Sequence, residues 1–535
     1  MSGWNGTWVA ERLGVRLADG DRPFGVGLAD LVGLAVRRNP RRAHLLVSAV
    51  LGKHVPTDPR LVHGAGLLLG RLITDLPAGT AAAAGHALRA ALADQAAGGV
   101  PIKETTPSAG DDLRLWPAEG EEGNARSSSH LGTAGFGGRA SDSRTSLPPG
   151  LHSATGSPGA ADMPGGAAPG RAAARLRDVL LAGQGAPMGA LVIGYAETAT
   201  ALGHSVADAL GGAGYLHSTR RPVAGIPPYG GFEEEHSHAT SHLLLPADRA
   251  LMEADGPVVL VDDELSTGNT VLNTIRALHA LRPRDRYVLA ALVDVRGPRD
   301  RARMAAFADE LGTRIDAVAL VSGRVELPPD VLEAGQALVA ATAAAPPTAA
   351  LPGRDHPVVR VDPGWPGDLP EGGRHGFMPE HRERLDKELP AMATTLAEAL
   401  PGRARRVLVL GFEELMYAPL RLAEALADLL PAVDVRYSTT TRSPVLAVDE
   451  PGYAIRTRLA FPAHDDPADG PGERYAYNVA AGADPSRAFD AIVLVVDKAG
   501  DTPGMRAGLL ARLREIAPVV VAAVPVHTPV RKGTR

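Results

Sequence analysis

The sequence contains no cysteine among its 535 residues. Disulfide bonds, thiolate metal centres and cysteine nucleophiles are therefore excluded. Basic residues are not in excess, since the formal net charge is -6. We therefore expect no positively charged surface for binding nucleic acid. The sequence has neither a run of about 18 apolar residues nor a charged-then-apolar leader, so we expect a cytoplasmic protein with no membrane partner.

Two stretches of small and polar residues divide the chain. Residues 104–170 have too few large apolar side chains to offset the entropy lost on ordering, which predicts a disordered insertion. Residues 341–357 form a second tract, rich in proline and alanine, that predicts a linker. We therefore expect a first domain over residues 20–340, interrupted by the insertion, and a second domain over residues 358–535.

The segment VVLVDDELSTGNT, residues 258–270, combines a strand, two acids and a polar loop. Its four leading apolar residues are typical of a strand buried in a parallel sheet. Asp262 and Asp263 follow at the carboxyl end of that strand, where ligands bind in open α/β sheets. Two adjacent carboxylates can accept hydrogen bonds from the vicinal hydroxyls of a sugar. The alternative is a strand that ends in a polar turn capped by a hydroxyl.

A loop of hydroxyl, glycine and amide residues follows the two acids. A helical pattern begins immediately after it, so backbone N–H groups converge there and predict an anion site. A diol site next to an anion site fits a ribose 5-phosphate. The loop residues are Ser266, Thr267, Gly268, Asn269 and Thr270.

This segment resembles the PRPP-binding signature of type I phosphoribosyltransferases such as orotate phosphoribosyltransferase. The resemblance implies that Asp262 and Asp263 hold the ribose 2- and 3-hydroxyls and that residues 266–270 hold the 5-phosphate. It also implies an enzyme of nucleotide metabolism that transfers phosphoribose from PRPP to a nucleobase-like acceptor and releases pyrophosphate. Mg²⁺ is the implied cofactor, carried by PRPP without a dedicated protein cage.

The region before this segment predicts a strand over residues 190–194, a turn and helix over 195–210, and a strand over 212–223. Such alternation favours a parallel sheet with right-handed crossovers, as in a Rossmann-like α/β fold. In the family, the turn after the first strand binds pyrophosphate through backbone amides, and cations near the second strand neutralise it. The matching residues are Tyr195, Ala196, Glu197, Thr198, Arg220 and Arg221.

Residues 225–246 stand where the family has a mobile hood over the reaction. Acidic residues with His236 and His238 replace the basic hood of orotate phosphoribosyltransferase, and we predict that these histidines act in catalysis with Asp262, Asp263 and Glu197. Binding of a transition metal by the histidines and a solvated loop without chemistry are the alternatives.

Acceptor contacts are predicted in two places. Asp294 and Arg296 follow a strand as an acid-arginine pair does in orotate phosphoribosyltransferase. Residues 38–59 resemble a block of a bacterial phosphoribosyltransferase family found in tellurite-resistance and stress-response gene clusters, and Lys53 is its candidate contact. We expect residues 26–100 to be helical, with a helix over residues 44–54 that ends at Gly52.

The C-terminal part repeats the pattern of the first. Residues 407–426 parallel the first strand and helix, and residues 435–445 parallel the second strand. The repeat lacks the second acid, because Lys498 follows Asp497, and it lacks the anion loop. We therefore predict a second α/β domain that is a degenerate copy and resembles the TRSP module of that family, with Thr441, Arg442 and Ser443 as phosphate candidates.

Two questions stay open at this level. The chain is either a transferase or a PRPP-binding or nucleotide-binding regulatory protein of a stress-response system that keeps the pocket without turnover. The degenerate copy is compatible with a homodimer or with pairing of the two α/β domains inside one chain.

Overall fold

Short strands alternate with helices along most of the chain in a computed structural model, which describes residues 4–38, 42–74, 76–98, 168–233, 241–344, 355–463 and 472–527. The strands are β1 (Arg16–Asp19), β2 (Val32–Val36), β3 (His44–Ser48), β4 (Leu191–Gly194), β5 (Gly214–His217), β6 (Gly230–Glu233), β7 (Ser241–Leu244), β8 (Val258–Leu265), β9 (Arg286–Asp294), β10 (Arg314–Glu326), β11 (Val358–Val361), β12 (Arg406–Gly411), β13 (Asp434–Thr439), β14 (Arg458–Pro462), β15 (Glu473–Tyr477), β16 (Ala491–Asp497) and β17 (Val519–Val524).

The helices lie mainly between consecutive parallel strands. They are α1 (Thr7–Leu13), α2 (Leu28–Leu31), α3 (Pro59–Arg71), α4 (Ala78–Ala96), α5 (Arg171–Ala182), α6 (Thr200–Leu210), α7 (Ala250–Glu253), α8 (Asn269–Leu281), α9 (Pro298–Leu311), α10 (Val331–Ala344), α11 (Pro379–Glu398), α12 (Tyr417–Leu429), α13 (Pro503–Met505) and α14 (Ala511–Leu513). A π-helical turn, Arg506–Leu510, joins the last two. Several starts follow local chemistry: for α3, Asp58 accepts a hydrogen bond from Arg60 N at 2.9 Å and Pro59 occupies the first turn.

The first sheet has the strand order β1-β10-β9-β8-β4-β5, in which only the edge strand β1 is antiparallel to its neighbour. The second sheet has the order β11-β17-β16-β12-β13, and all of its strands are parallel. The predicted α/β class is therefore confirmed. The inner parallel strands β4, β9, β12 and β16 are buried along almost their whole length, as expected where helices cover both faces of a sheet.

The second sheet repeats the first, as the internal echo predicts. Strands β12, β13, β16 and β17 occupy the positions of β4, β5, β8 and β9, and β11 takes the place of β10 although it comes first in its half. Each half also carries an antiparallel hairpin after its second strand, β6 with β7 and β14 with β15. The degenerate-copy prediction is thus confirmed at the level of strand order.

The prediction that residues 26–100 are helical is wrong in part. β2 and β3 form an antiparallel hairpin, and the predicted helix over residues 44–54 is a strand followed by a loop. Nearly every residue of the hairpin is buried, so its sequence shows a continuous apolar run that periodicity cannot distinguish from a buried helix. Gly52 ends no helix: its φ is 70°, and a Cβ there would lie 2.4 Å from Tyr437 Cδ1.

The described residues form one compact unit. Most of the expected insertion, residues 104–167, lies outside the described residues, as do residues 345–354 of the expected linker and residues 234–240 of the hood. α10 extends into the linker tract as far as Ala344. No helix among the described ranges is long and apolar enough to span a membrane.

A buried ionic cluster joins the helices of the two halves. His63 on α3 lies 3.0 Å from Glu424 of α12 and 3.3 Å from Asp208 of α6. Tyr417 donates a hydrogen bond to Asp208 at 2.8 Å, and Arg421 contacts Glu424 at 2.8 Å. Burial alone would lower the pKa of His63, but attraction to Glu424 and hydrogen bonds to both carboxylates outweigh it and raise that pKa.

Replacement of His63 by glutamine should destabilise the protein by about 3 kcal/mol, because the two buried carboxylates lose a shared cation. The raised pKa of His63 means that its contribution is fully present below the unfolded value near 6.5 and is lost as pH rises through the folded value. The difference in unfolding free energy between wild type and His63→Gln should therefore shrink as pH increases. Urea unfolding across pH 6 to 9 measures it, with exposed His86→Gln as the control.

Candidate active site

A cavity of about 390 Å³ lies at the carboxyl ends of β4 and β8, where the first sheet meets the second half of the chain. It brings together segments that are far apart in the sequence. Its lining residues are Arg37, Arg42, Leu45, Lys53, His54, Tyr195, Ala196, Glu197, Thr198, Arg220, His242, Asp262, Asp263, Glu264, Leu265, Ser266, Thr267, Gly268, Asn269, Thr270, Val271, Thr441, Arg442 and Ser443.

The two predicted diol acids and the predicted anion loop share this cavity. β8 runs to Leu265, so Asp262 and Asp263 lie in the last half of this strand. Asp262 Oδ1 accepts a hydrogen bond from Asp263 N at 2.9 Å. α8 begins at Asn269, so the last two residues of the predicted loop form the first turn of the helix. Gly268 has a φ of 79°, which allows the chain to turn from strand to helix with its amides grouped at the helix start.

The loop after β4 forms the opposite wall. Glu197 is buried there, and Thr198 Oγ1 accepts a hydrogen bond from Lys53 Nζ at 2.7 Å. Ala196 N donates to Ser218 Oγ at 3.0 Å, which fixes this loop against the end of β5. The predicted acceptor contact Lys53 therefore lies beside the predicted pyrophosphate loop.

The TRSP sequence of the second half reaches into the same cavity. Arg442 Nε lies 2.6 Å from Glu197 Oε1, and Thr441 Oγ1 donates a hydrogen bond to Glu197 Oε2 at 3.3 Å. The reciprocal contact also exists, because Thr219 Oγ1 donates to Glu414 Oε2 at 2.8 Å. Thr441 and Thr219 occupy corresponding positions of the two repeats, as do Glu197 and Glu414. Each half therefore contacts the loop of the other half in the same way, as the subunits of a two-fold symmetric dimer do.

Backbone pairing shows the same exchange. Thr57, just before α3, pairs with Tyr437 of β13 through hydrogen bonds of 3.0 and 2.8 Å. Phe377, just before α11, pairs with Tyr215 of β5 through bonds of 2.8 and 2.9 Å. Each half thereby adds a segment to the edge of the other's sheet, and the two α/β halves pair within the chain.

Some predicted site residues do not reach the cavity. Arg221 instead contacts Glu413 of the second half at 2.8 Å. Asp294 and Arg296 are buried and bind one another through two hydrogen bonds of 2.9 and 2.8 Å, behind the anion loop. Neither residue lines the cavity. His236 and His238 lie outside the described residues.

The sequence prediction missed other lining residues. Arg37 and Arg42 lie between β2 and β3, in the region expected to be helical, and Arg42 contacts Glu264 at 2.5 Å. His242, on β7, lies 2.8 Å from Ser218 Oγ; as a hood histidine it was a possible proton donor or metal ligand, but it was not among the predicted catalytic residues. Glu264 follows the diol acids directly in the sequence, and this position could have been predicted to line the site.

Electrostatics in the cavity balance cations against acids. Burial raises the pKa of Asp263, although nearby Lys53 lowers it. Burial, together with the charge of Lys53, lowers the pKa of His54 well below its usual range, so this histidine is neutral at pH 7. Behind Glu197, burial and then the charge of Glu197 raise the pKa of Glu413 to about 7. Two of the lining arginines contact carboxylates, Arg42 with Glu264 and Arg442 with Glu197.

The acids at this edge of the sheet are hard oxygen donors of the kind that Mg²⁺ prefers. Among the described residues, no three histidine, aspartate or glutamate side chains are grouped closely enough to hold a metal ion by themselves. The half-buried carboxylates of Asp262 and Asp263 at the cavity wall fit Mg²⁺ by the chemistry of their oxygens.

Sequence comparison places this geometry in a family. A model described as phosphoribosyl transferase matches residues 31–324, more than half of the chain. The chain belongs to the phosphoribosyl transferase family. A second model, described as the TRSP domain C-terminal to PRTase_2, matches residues 371–513. The predicted family and its C-terminal module are both confirmed, and no curated protein sequence matches the chain significantly.

Solved structures of adenine phosphoribosyltransferases show partial similarity. The Trypanosoma brucei enzyme, in complex with AMP, pyrophosphate and ribose-5-phosphate, is 14% identical over 25% of this chain and 56% of its own length, with a TM-score of 0.18. The Giardia lamblia enzyme is 18% identical over 27% and 76%, with a TM-score of 0.18. The Rhodothermus marinus enzyme is 18% identical over 28% and 80%, with a TM-score of 0.20. The chain thus spans little more than half of the length of the Trypanosoma brucei enzyme.

Proposed function

We propose that the protein transfers the phosphoribosyl group of PRPP to a nucleobase-like acceptor and releases pyrophosphate. The observation that carries the proposal is the shared cavity, in which paired acids at the end of β8, an anion loop at the start of α8 and the loop after β4 face one another. Each part suits one portion of PRPP: the diol, the 5-phosphate and the pyrophosphate. The matched ranges fall inside the domains proposed from sequence, residues 20–340 and 358–535.

In the proposed reaction the bond between ribose C1 and the pyrophosphate oxygen breaks, and pyrophosphate leaves with the electron pair. A ring nitrogen of the acceptor supplies the pair for the new C1–N bond and loses its proton to solvent or to a phosphate oxygen. Asp262 and Asp263 would hold the ribose hydroxyls, and residues 266–270 would hold the 5-phosphate. Positioning and electrostatics would supply the rate, without a covalent nucleophile.

Asp262 and Asp263 would also hold Mg²⁺ that arrives with PRPP, and the ion would offset charge on the leaving pyrophosphate. Two further acids line the cavity: Arg442 and Thr441 hold Glu197, and Arg42 contacts Glu264. We propose that Arg220, Arg442 and Lys53 share the pyrophosphate charge, as charge-assisted contacts to phosphate do. Arg442 and its neighbours Thr441 and Ser443 would thus bind phosphate in the first half's site.

The direct test is pyrophosphate release by the purified chain with PRPP, Mg²⁺ and a panel of bases, with PRPP binding measured separately by calorimetry. We expect PRPP binding and base-dependent release of pyrophosphate. Tight PRPP binding without release with any base would favour the regulatory alternative. A protein that binds no PRPP would contradict both functions.

A further inference from the structure

A second cavity, of about 800 Å³, lies at the opposite end of the second sheet, beside the starts of β12 and β13. The proposed reaction does not use it. Segments of both halves form it, including residues 95–98 at the end of α4 and residues 484–489 before β16. Because it lies at the amino ends of parallel strands, it is distinct from the candidate active site at the carboxyl ends.

Arginine is the most frequent charged residue in the lining of this second cavity, which we call the arginine cavity. Five arginines line it against two aspartates. Two further aspartates approach from behind, Asp449 toward Arg456 at 2.7 Å and Asp490 toward the backbone of β12 at 2.8 Å. The lining therefore has a surplus of positive charge. The lining arginines are Arg405, Arg406, Arg436, Arg456 and Arg487, and the lining acids are Asp434 and Asp484.

Two of the arginines have incompletely satisfied guanidinium groups. Within the described residues, Arg406 Nε and Arg487 Nη1 are buried without an acceptor in hydrogen-bond geometry. Arg406 Nε lies 3.3 Å from Asp434, and Arg487 Nη1 lies 4.0 Å from Asp449, so each has only an ionic contact. Buried donors of this kind cost free energy unless a ligand accepts from them.

The titration of these groups agrees with the geometry. Burial and the neighbouring charge of Arg456 lower the pKa of Arg487 to about 10, and burial lowers the pKa of Arg406 as well. Two cations whose charged forms are penalised inside one cavity would gain from an anion. Phe489 offers an apolar face beneath Arg406, whose Cζ lies 5.1 Å from the ring centroid.

We propose that the arginine cavity binds a small polyphosphate anion, such as the diphosphate group of a nucleotide, as a site separate from the PRPP site. Planar guanidinium groups are suited to bidentate recognition of phosphate oxygens, and the volume accommodates a nucleotide. The site is also connected to the first cavity. Arg487 Nη2 donates to Asn478 Oδ1 at 2.8 Å, and Asn478 Nδ2 donates to the backbone oxygen of His54, a lining residue of the first cavity, at 2.8 Å.

The test is calorimetry of the full chain with ADP and, in parallel, with inorganic pyrophosphate. Arg406→Gln combined with Arg487→Gln should weaken binding of one equivalent of the probe at least about 10-fold. The matched control, Arg403→Gln combined with Arg512→Gln, removes the same charge from exposed positions of the second half and should leave that equivalent unchanged. PRPP affinity should be the same in both double variants, which separates this site from the proposed function.

A single substitution protects the test against misfolding. Arg405→Gln, at an exposed position on the rim, should weaken the same equivalent about threefold while thermal unfolding stays at the wild-type temperature. Equal probe affinity in the Arg406/Arg487 and control double variants would overturn the proposal. So would a wild-type chain that binds neither ADP nor pyrophosphate at this second site.

Discussion

Replacement of both Asp262 and Asp263 with asparagine should reduce PRPP affinity by about 100-fold or more. Each carboxylate would lose a charge-assisted hydrogen bond to a ribose hydroxyl, worth about 1.5 to 3 kcal/mol, and the metal would lose its protein oxygens. The fold should survive, because the carboxylates lie at a half-buried strand end and asparagine keeps their shape. Calorimetric titration with PRPP and Mg²⁺ measures the effect, and thermal unfolding checks the fold.

An adjacent acid pair elsewhere provides the control. Asp309 and Glu310 lie exposed near the end of α9, so Asp309→Asn with Glu310→Gln removes the same charge away from the cavity. PRPP affinity in this variant should equal that of wild type. If the Asp262/Asp263 variant also binds PRPP as wild type does, these acids do not read the ribose diol, and the proposed orientation of PRPP is wrong.

The sequence predicted those parts of the site that lie within one continuous segment. Residues 258–270 contain the strand, the acids, the loop and the helix start, so their relative positions follow from local geometry alone. The likeness of the second half to the first was also predictable, since the repeat preserves the spacing of strands and helices. The place of β11 beside β17 was not, because β11 comes first in its half.

The parts that were missed depend on long-range packing. The β2–β3 hairpin reads as helix because burial on both faces removes the alternation that marks a strand. Asp294 and Arg296 matched a family pattern, yet they pair with each other, which only the side-chain geometry reveals. No spacing rule in the sequence indicated that Arg442 would approach Glu197, 245 positions earlier in the chain, because that contact follows from the pairing of the two halves.

That pairing suggests why the second half persists without a diol site of its own. Its end of β16 keeps Asp497, but Gly500 N donates to this carboxylate at 2.6 Å, and Lys498 stands where a second acid would be needed. What the second half supplies is a wall of the first cavity, through Thr441, Arg442 and Ser443. The contribution of the second half to the proposed reaction would therefore be found by changing these residues and measuring ligand binding in the first cavity.

Replacement of Arg442 with glutamine should weaken pyrophosphate binding at the first cavity about 30-fold, while binding at the arginine cavity stays unchanged. The substitution removes a cation that would contact pyrophosphate directly. It also removes the guanidinium that lies 2.6 Å from Glu197, so this buried carboxylate would repel the pyrophosphate. The loss of one charge-assisted contact is worth about 2 kcal/mol, which corresponds to that factor. Arg442→Lys should recover only part of the affinity, because an ammonium group keeps the charge but cannot contact carboxylate and phosphate in the plane of a guanidinium.

Exposed Arg458 on β14 provides the matched control, and Arg458→Gln should bind pyrophosphate as wild type does. Thermal unfolding separates the two roles that Arg442 can have. If the arginine only joins the halves, Arg442→Gln should lower the unfolding temperature while the pyrophosphate affinity of the folded protein stays unchanged, and the proposed phosphate contact would be refuted. If it belongs to the site, the affinity should fall at temperatures well below unfolding, and added pyrophosphate should stabilise wild type more than the variant.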